Sequence, residues 1–164
     1  MPIQQMLLGV GAKQKTYVDD VFNVQAYIGT GSSRTITNGI DLSTEGGLVW
    51  TKCRLGSSSM HHMLFDTERG VTKDLISSAQ GGQGTSTNMV TAFNTNGYSL
   101  GNSGYVNENN STYSSWSFRK SPGFFDIVTY TGSSSPRTIS HNLGSVPGAI
   151  FIKKLSGSDY WAVY

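Results

Sequence analysis

One stretch of this chain occurs twice. Tyr27-Ile28-Gly29-Thr30-Gly31-Ser32-Ser33-Arg34-Thr35-Ile36-Thr37-Asn38 aligns with Tyr130-Thr131-Gly132-Ser133-Ser134-Ser135-Pro136-Arg137-Thr138-Ile139-Ser140-His141 at an offset of 103 residues. Tyr, Gly, Ser, Arg, Thr and Ile coincide. After a two-residue gap, Gly47-Leu48-Val49-Trp50-Thr51-Lys52 aligns with Gly148-Ala149-Ile150-Phe151-Ile152-Lys153 at offset 101. A further small gap sets His62-Met63-Leu64-Phe65 against Trp161-Ala162-Val163-Tyr164. A period near 100 residues exceeds that of solenoid units, about 20–50 residues, and suits whole domains in tandem. The expected organisation is a leader over residues 1–22, one unit over 23–120 and the start of a second over 121–164. A complete second unit would need about 55 residues beyond Tyr164. The chain is therefore expected to be the front piece of a longer polypeptide, or a truncated one.

The unit is expected to be all-β. Gly, Ser, Thr and Asn make up 69 of the 164 residues, while only 13% are charged. Coiled coils and helical bundles need Ala, Glu, Lys, Leu and Arg in quantity, so both are excluded. Eighteen aromatics and alternating apolar runs argue against a charge-driven disordered tail. Alternation and β-rich composition predict strands at 24–28, 34–37, 48–52, 61–65, 90–93, 98–100 and 112–118, then 125–130, 138–140 and 149–153. In 112–118, Trp116 and Phe118 share one face. Asn96-Gly97 between two short runs predicts a hairpin, and Gly81-Gly82-Gln83-Gly84 predicts a turn. About seven short strands per 100 residues suggest an antiparallel β-sandwich or jelly roll.

The leader does not fit the repeat. Its apolar side chains cannot be buried by so short a segment alone. One reading is a docking arm that orders on a partner, through Gln4, Gln5, Met6, Leu7, Leu8, Val10, Tyr17, Val21 and Phe22. The other is a leader folded along the first sandwich, or frayed. No basic stretch precedes its apolar part, so it does not read as a secretory signal. No apolar run approaches the roughly 20 residues that span a bilayer, so no membrane insertion is expected. A net charge of +2, with scattered Lys and Arg, does not suggest nucleic acid.

Catalysis needs convergent titratable groups, and few are available. Asp66-Thr67-Glu68-Arg69 is the densest polar cluster; it reads either as nominal glycosidase carboxylates or as a turn closed by an Asp–Arg pair. His61 and His62 are adjacent on a predicted strand, so they point to opposite faces and cannot jointly hold one metal. Cys53 is alone, which excludes an internal disulfide. No phosphate loop, dinucleotide fingerprint or nucleophile elbow occurs. The expectation is no enzyme, no metal and no cofactor. Trp50 and Trp116 are expected in the core, with sugar contact by one of them open. Tyr98, Tyr105 and Tyr113, near Asn-rich loops, are the candidates for glycan contact.

The repeat core is clearest at Tyr130-Thr131-Gly132, His141-Asn142-Leu143-Gly144-Ser145-Val146-Pro147-Gly148, Ile152-Lys153-Lys154 and Trp161-Ala162-Val163-Tyr164. In the first unit it continues through Phe65 to Gly70, Phe93 to Gly101 and Tyr113 to Phe118. This pattern resembles a repeat common in structural proteins of marine bacteriophages, cyanophage tail fibre and tail-associated proteins among them. The leader also looks like the start of such proteins. The first unit departs where Ile40-Asp41-Leu42-Ser43-Thr44-Glu45-Gly46 replaces the usual Leu-Gly-x-x-Pro turn. The resemblance implies a concanavalin-like or jelly-roll sandwich, a virion location in the phage tail, and often a homotrimeric fibre. It implies tail hub, adaptor or nozzle proteins as partners of the arm, and no activity. The alternative expectation is a carbohydrate-binding adhesin that contacts host glycans directly. A polysaccharide depolymerase is disfavoured by the shortage of paired carboxylates.

Overall fold

The computed structural model describes residues 15–56 and 61–164. Among the described residues, eleven strands and two one-turn helices run in the order α1 (Val18–Val21), β1 (Phe22–Ile28), β2 (Arg34–Ile36), β3 (Gly47–Leu55), β4 (His62–Asp66), β5 (Lys73–Ile76), β6 (Gly84–Thr85), β7 (Val90–Asn94), β8 (Gly97–Leu100), α2 (Gly104–Asn107), β9 (Thr112–Arg119), β10 (Phe151–Ile152) and β11 (Ala162–Val163). All the strand pairs are antiparallel. One sheet has the order β1-β9-β3-β4-β5-β6, a second β2-β8-β7, and β10 pairs with β11 alone.

The two larger sheets share one core. Tyr27, Val49, Cys53, Met63, Phe65 and Tyr113 come from the six-stranded sheet, and Ile36, Val90, Tyr98 and Leu100 from the three-stranded one. Period two explains the selection. Along β3 every second residue from Gly47 to Cys53 is buried, and along β9 the buried set is Tyr113, Ser115 and Ser117. The small inward residues of β9 leave room for bulky tyrosines. Tyr27 and Tyr113 stack at 5.1 Å with planes 9° apart, worth about 0.5–1.5 kcal/mol beyond area burial. Their hydroxyls donate to the Val106 and Gly104 carbonyls at 2.7 Å each, so neither is buried unpaired.

The atypical loop after β2 is built into this core. Asp41 Oδ1 accepts from the amides of Ser43 (3.1 Å) and Thr44 (2.9 Å), an Asx-type turn that fixes the backbone. Ile40 and Leu42 on either side are fully buried. The predicted hairpin is present: β7 meets β8 with Asn94 opposite Gly97. Gly97 has φ of +106°, and an added Cβ there would overlap the Ile36 carbonyl oxygen.

Three expectations need correction. Strands β5 and β6 were not expected. No strands form at 125–130 or 138–140, because the counterparts of those segments pair with β9 and β8, and residues 121–164 provide neither partner. The boundary at residue 22 is also displaced. Val21 is buried and Phe22 pairs with Phe118, so both belong to the first unit's fold and not to a separate leader.

Candidate functional site

Among the predicted docking residues, Gln4, Gln5, Met6, Leu7, Leu8 and Val10 lie outside the described residues. Tyr17 is exposed, and its amide donates to Asp20 at 2.8 Å, opening α1. Val21 and Phe22 are not available to a partner as free arm residues. They close the end of the sheet instead.

Two of the three glycan candidates are also overturned. Tyr98 and Tyr113 are fully buried in the core, and only Tyr105, on α2, is exposed, at 39%. Proximity to polar loops misled the reading. Tyr113 alternates with Trp116 and Phe118, so once those face outward, Tyr113 must face inward.

That alternation places the tryptophans outside the core. Strand register aligns Val24, Trp116, Trp50, Leu64 and Leu75 in a row across five strands of the six-stranded sheet. Phe22, Phe118 and Leu48 form the next row. Trp50 and Trp116 are half-buried on this outer face, with ring centroids 5.8 Å apart and planes at 57°. The Trp50 indole N–H donates to His62 Nδ1 at 3.0 Å. His62 is held below its ordinary pKa by burial first and the Lys52 ammonium second, which favours the neutral ring this bond needs.

Part of the outer face is covered by the second repeat. Phe118 packs on Phe125 at 5.3 Å and on Phe124 at 6.4 Å. Lys120 bridges Glu68 at 2.6 Å and Asp126 at 3.5 Å. Burial opposes ionisation of Asp126, but the Asn142 and Ile127 amides and the Lys120 ammonium outweigh it and hold the carboxyl below its ordinary range. At the other end, the loop before β6 receives the second repeat by backbone pairing. Gln83 N–H donates to the Leu155 carbonyl at 2.9 Å, Asp159 N–H donates to the Gln80 carbonyl at 2.9 Å, and the Trp161 indole donates to the Ile76 carbonyl at 3.2 Å. A Cβ on Gly82 would sit 2.5–2.6 Å from the Leu155 and Gly157 oxygens. The glycine run read as a simple turn is thus a contact loop between the repeats. Its run of glycines, denser than a turn requires, was the available signal.

The polar cluster is structural. Asp66 closes its turn on Arg69, with Nε at 2.5 Å from Oδ2 and both side chains buried, while Glu68 turns to Lys120. The Asp–Arg turn reading holds. His61 meets Ser78 at 3.3 Å, away from the His62–Trp50 bond. Cys53 is a buried free thiol. Among the described residues no group of three His, Cys, Asp or Glu side chains gathers to hold a metal.

The repeat itself has a structural signature. Arg34 donates to the Ile28 carbonyl at 2.6 Å and lies 5.7 Å from the Tyr27 ring centre. Arg137 donates to the Thr131 carbonyl at 2.7 Å and lies 5.9 Å from the Tyr130 ring centre. Register repeats as well. Trp50 faces Leu64 and Thr51 faces Met63, as Phe151 faces Val163 and Ile152 faces Ala162.

One family model, described as a domain of unknown function (DUF7483), matches the chain twice, over residues 18–124 and 121–164. No curated protein and no solved structure matches.

Proposed function

The chain belongs to this family of domains of unknown function, and from that premise we propose that it is a structural component of a bacteriophage virion, a tail fibre or tail-associated protein. The observation that carries the reading is one unit begun twice in a single polypeptide, with the two repeats joined by backbone hydrogen bonds and an aromatic cluster. Such an arrangement builds length, as a projecting spacer needs. The sequence resemblance to marine phage tail proteins supplies the location. In this reading the units are tandem sandwiches of the jelly-roll or concanavalin type. The leader, with Tyr17 at its exposed end, attaches to tail hub, adaptor or nozzle proteins. Copies of the chain assemble as a homotrimer, and receptor-binding regions are carried outward to the host. The protein is not an enzyme and takes no metal or cofactor.

Particles carrying a chain deleted for residues 1–16 test this, since the deletion leaves Tyr17, the cap of α1, and β1 in place. Loss of the protein from purified virions, read by mass spectrometry, is expected. Normal incorporation refutes the docking role.

The half-buried Trp50–Trp116 face and exposed Tyr105 favour one second reading, an adhesin that stacks host sugars on that face. Titration with host surface polysaccharide decides it. Binding that Trp116→Ala abolishes supports the adhesin, and no binding at millimolar ligand removes it.

A further inference from the structure

The first repeat contains glycines whose need can be traced to one neighbour. A Cβ on Gly29 would overlap the Glu108 carbonyl oxygen, in the loop between α2 and β9. A Cβ on Gly47 would overlap the Phe118 carbonyl oxygen of β9. Both positions are therefore kept open by the segment running from α2 through β9. Their counterparts in the second repeat are Gly132 and Gly148, and a Cβ on either would meet nothing within 4 Å. Neither has the positive φ that would require glycine on its own account.

The apolar residues around these glycines are matched to the same missing contact. Tyr27 is buried at 8%, but Tyr130 is exposed at 47%. Val49 is fully buried, but Ile150 is exposed at 43%. Phe151 stands where Trp50 stands, yet it is exposed at 65%, and among the described residues no ring pairs with it as Trp116 pairs with Trp50. The arginine clasp and the hairpin register of the second repeat are nevertheless already formed.

We propose that the second repeat is an acceptor for one antiparallel strand of the chemistry of Thr112–Arg119, preceded by an α2-type loop. The strand lies between residues 125–131 and β10. It presents Tyr and small Ser side chains toward Tyr130 and Ile150, and Trp and Phe toward Phe151. Applying the two offsets to the β1–β9 and β3–β9 registers sets its Tyr113 position opposite Tyr130 and its Trp116 position opposite Phe151. The loop's backbone passes over Gly132 and the strand's over Gly148. Strand addition of this kind takes affinity from main-chain hydrogen bonds and selectivity from alternate side chains. The assignment stands on the repeat geometry and is independent of any location in a virion.

The probe is a synthetic peptide copying residues 104–119, added to the whole 164-residue protein. Saturable binding of one peptide per chain is expected, with new amide protection at 126–131 and 149–152 by hydrogen exchange. The Gly132→Ala, Gly148→Ala double variant should keep the circular dichroism and melting temperature of the parent, because both sites are open. It should weaken peptide binding at least tenfold, because each added methyl stands where the incoming backbone must pass. The hydrogen-exchange map on the parent protein stands by itself should the variant misfold. The proposal is overturned if the peptide fails to saturate at millimolar concentration or if a scrambled peptide binds as well. Protection on the Trp116 face or at the β6 edge overturns it too, as does a folded double variant that binds with parental affinity. Self-association without peptide that protects 126–131 and 149–152, and that the two alanines leave unchanged, would assign those residues to a second copy instead, and so also overturns it.

Discussion

The indole N–H of Trp50 donates to Nδ1 of His62 across 3.0 Å, from neighbouring strands β3 and β4. The bond requires that nitrogen to carry no proton. His62 is depressed below its ordinary pKa of 6.5 by burial and then by Lys52. A histidine depressed in the folded state takes up its proton more readily once unfolded. Its contribution is therefore complete above pH 6.5 and is lost as pH falls through the folded value. Thermal stability should decline from pH 6.5 downward, with a change in Trp emission over the same interval. His62→Phe keeps a ring beside Trp50 and should flatten that limb. An acid limb unchanged in the variant would place its origin elsewhere.

Gly29 and Gly132 are the same residue of the repeat in two surroundings. Gly29→Ala forces a methyl against the Glu108 carbonyl oxygen, so it should destabilise by about 1–3 kcal/mol, the cost of overpacking a filled site. Gly132→Ala meets open space and should stay within about 0.5 kcal/mol of the parent. Urea denaturation of the two variants side by side measures both. Equal costs would mean that the difference in surroundings has no energetic content.

Burial pushes the Tyr113 hydroxyl up to about 12 from 10.0, against the lowering effect of the Glu108 amide that donates to it. The same cause raises Tyr98 and Tyr27. A tyrosine raised in the folded state contributes stability that is complete below pH 10 and is lost as pH climbs toward 12. In an alkaline titration read at 295 nm, Tyr27, Tyr98 and Tyr113 should therefore ionise only with unfolding. Tyr113→Phe deletes the bonds to Gly104 and Glu108 and should cost about 1–3 kcal/mol, the penalty for leaving buried partners unsatisfied.

Asp66 and Arg69 are both buried, whereas Glu68 is 36% exposed against Lys120. Removing one partner of a buried pair leaves an uncompensated charge, so Asp66→Ala should cost about 3–5 kcal/mol. Glu68→Ala removes a screened pair and should cost at most about 1 kcal/mol. Equal, small effects would return the cluster to consideration as something other than a structural turn.

How far the fold could be read from residues follows from what each reading required. The alternation of Thr112–Arg119 was legible because both of its faces are carried by that strand alone. The repeat was legible because its identities survive two small gaps, and the strand registers reproduce those gaps. Strands β5 and β6 were not legible. Lys73-Asp74-Leu75-Ile76 has no period of two, and Gly84-Thr85 is a strand only through its pairing with Lys73 and Asp74. Residues 125–130 show the opposite failure. Their composition is strand-like, but a ladder needs a neighbour as well as a propensity. The outer aromatic row was half visible. Period two joined Trp116 to Phe118 along one strand, while its alignment with Trp50 and Leu64 depends on cross-strand register. Tyr98 and Tyr113 were misplaced because a polar loop beside a tyrosine says nothing about the sheet that faces it.

Gly82 lies at the closest backbone approach of the second repeat's 155–157 turn to the first repeat. Its backbone runs so close to Leu155 and Gly157 that a side chain would collide with two carbonyl oxygens. The same loop exchanges backbone hydrogen bonds with Leu155 and Asp159, and the Gln80 carbonyl also receives the Lys153 ammonium at 2.7 Å. None of these groups belongs to the core, which lies between the two larger sheets. Gly82→Ala should therefore separate two effects that a core substitution would mix. Hydrogen exchange should accelerate at Gln83 and Asp159, the two amides that donate across the contact, and proteolysis should reach residues 153–160 sooner. The cooperative unfolding of the β1-to-β9 unit should keep its parental midpoint within about 0.5 kcal/mol. A parallel loss of midpoint would mean that the first repeat depends on the second for its stability, and that the glycine run belongs to a single cooperative fold.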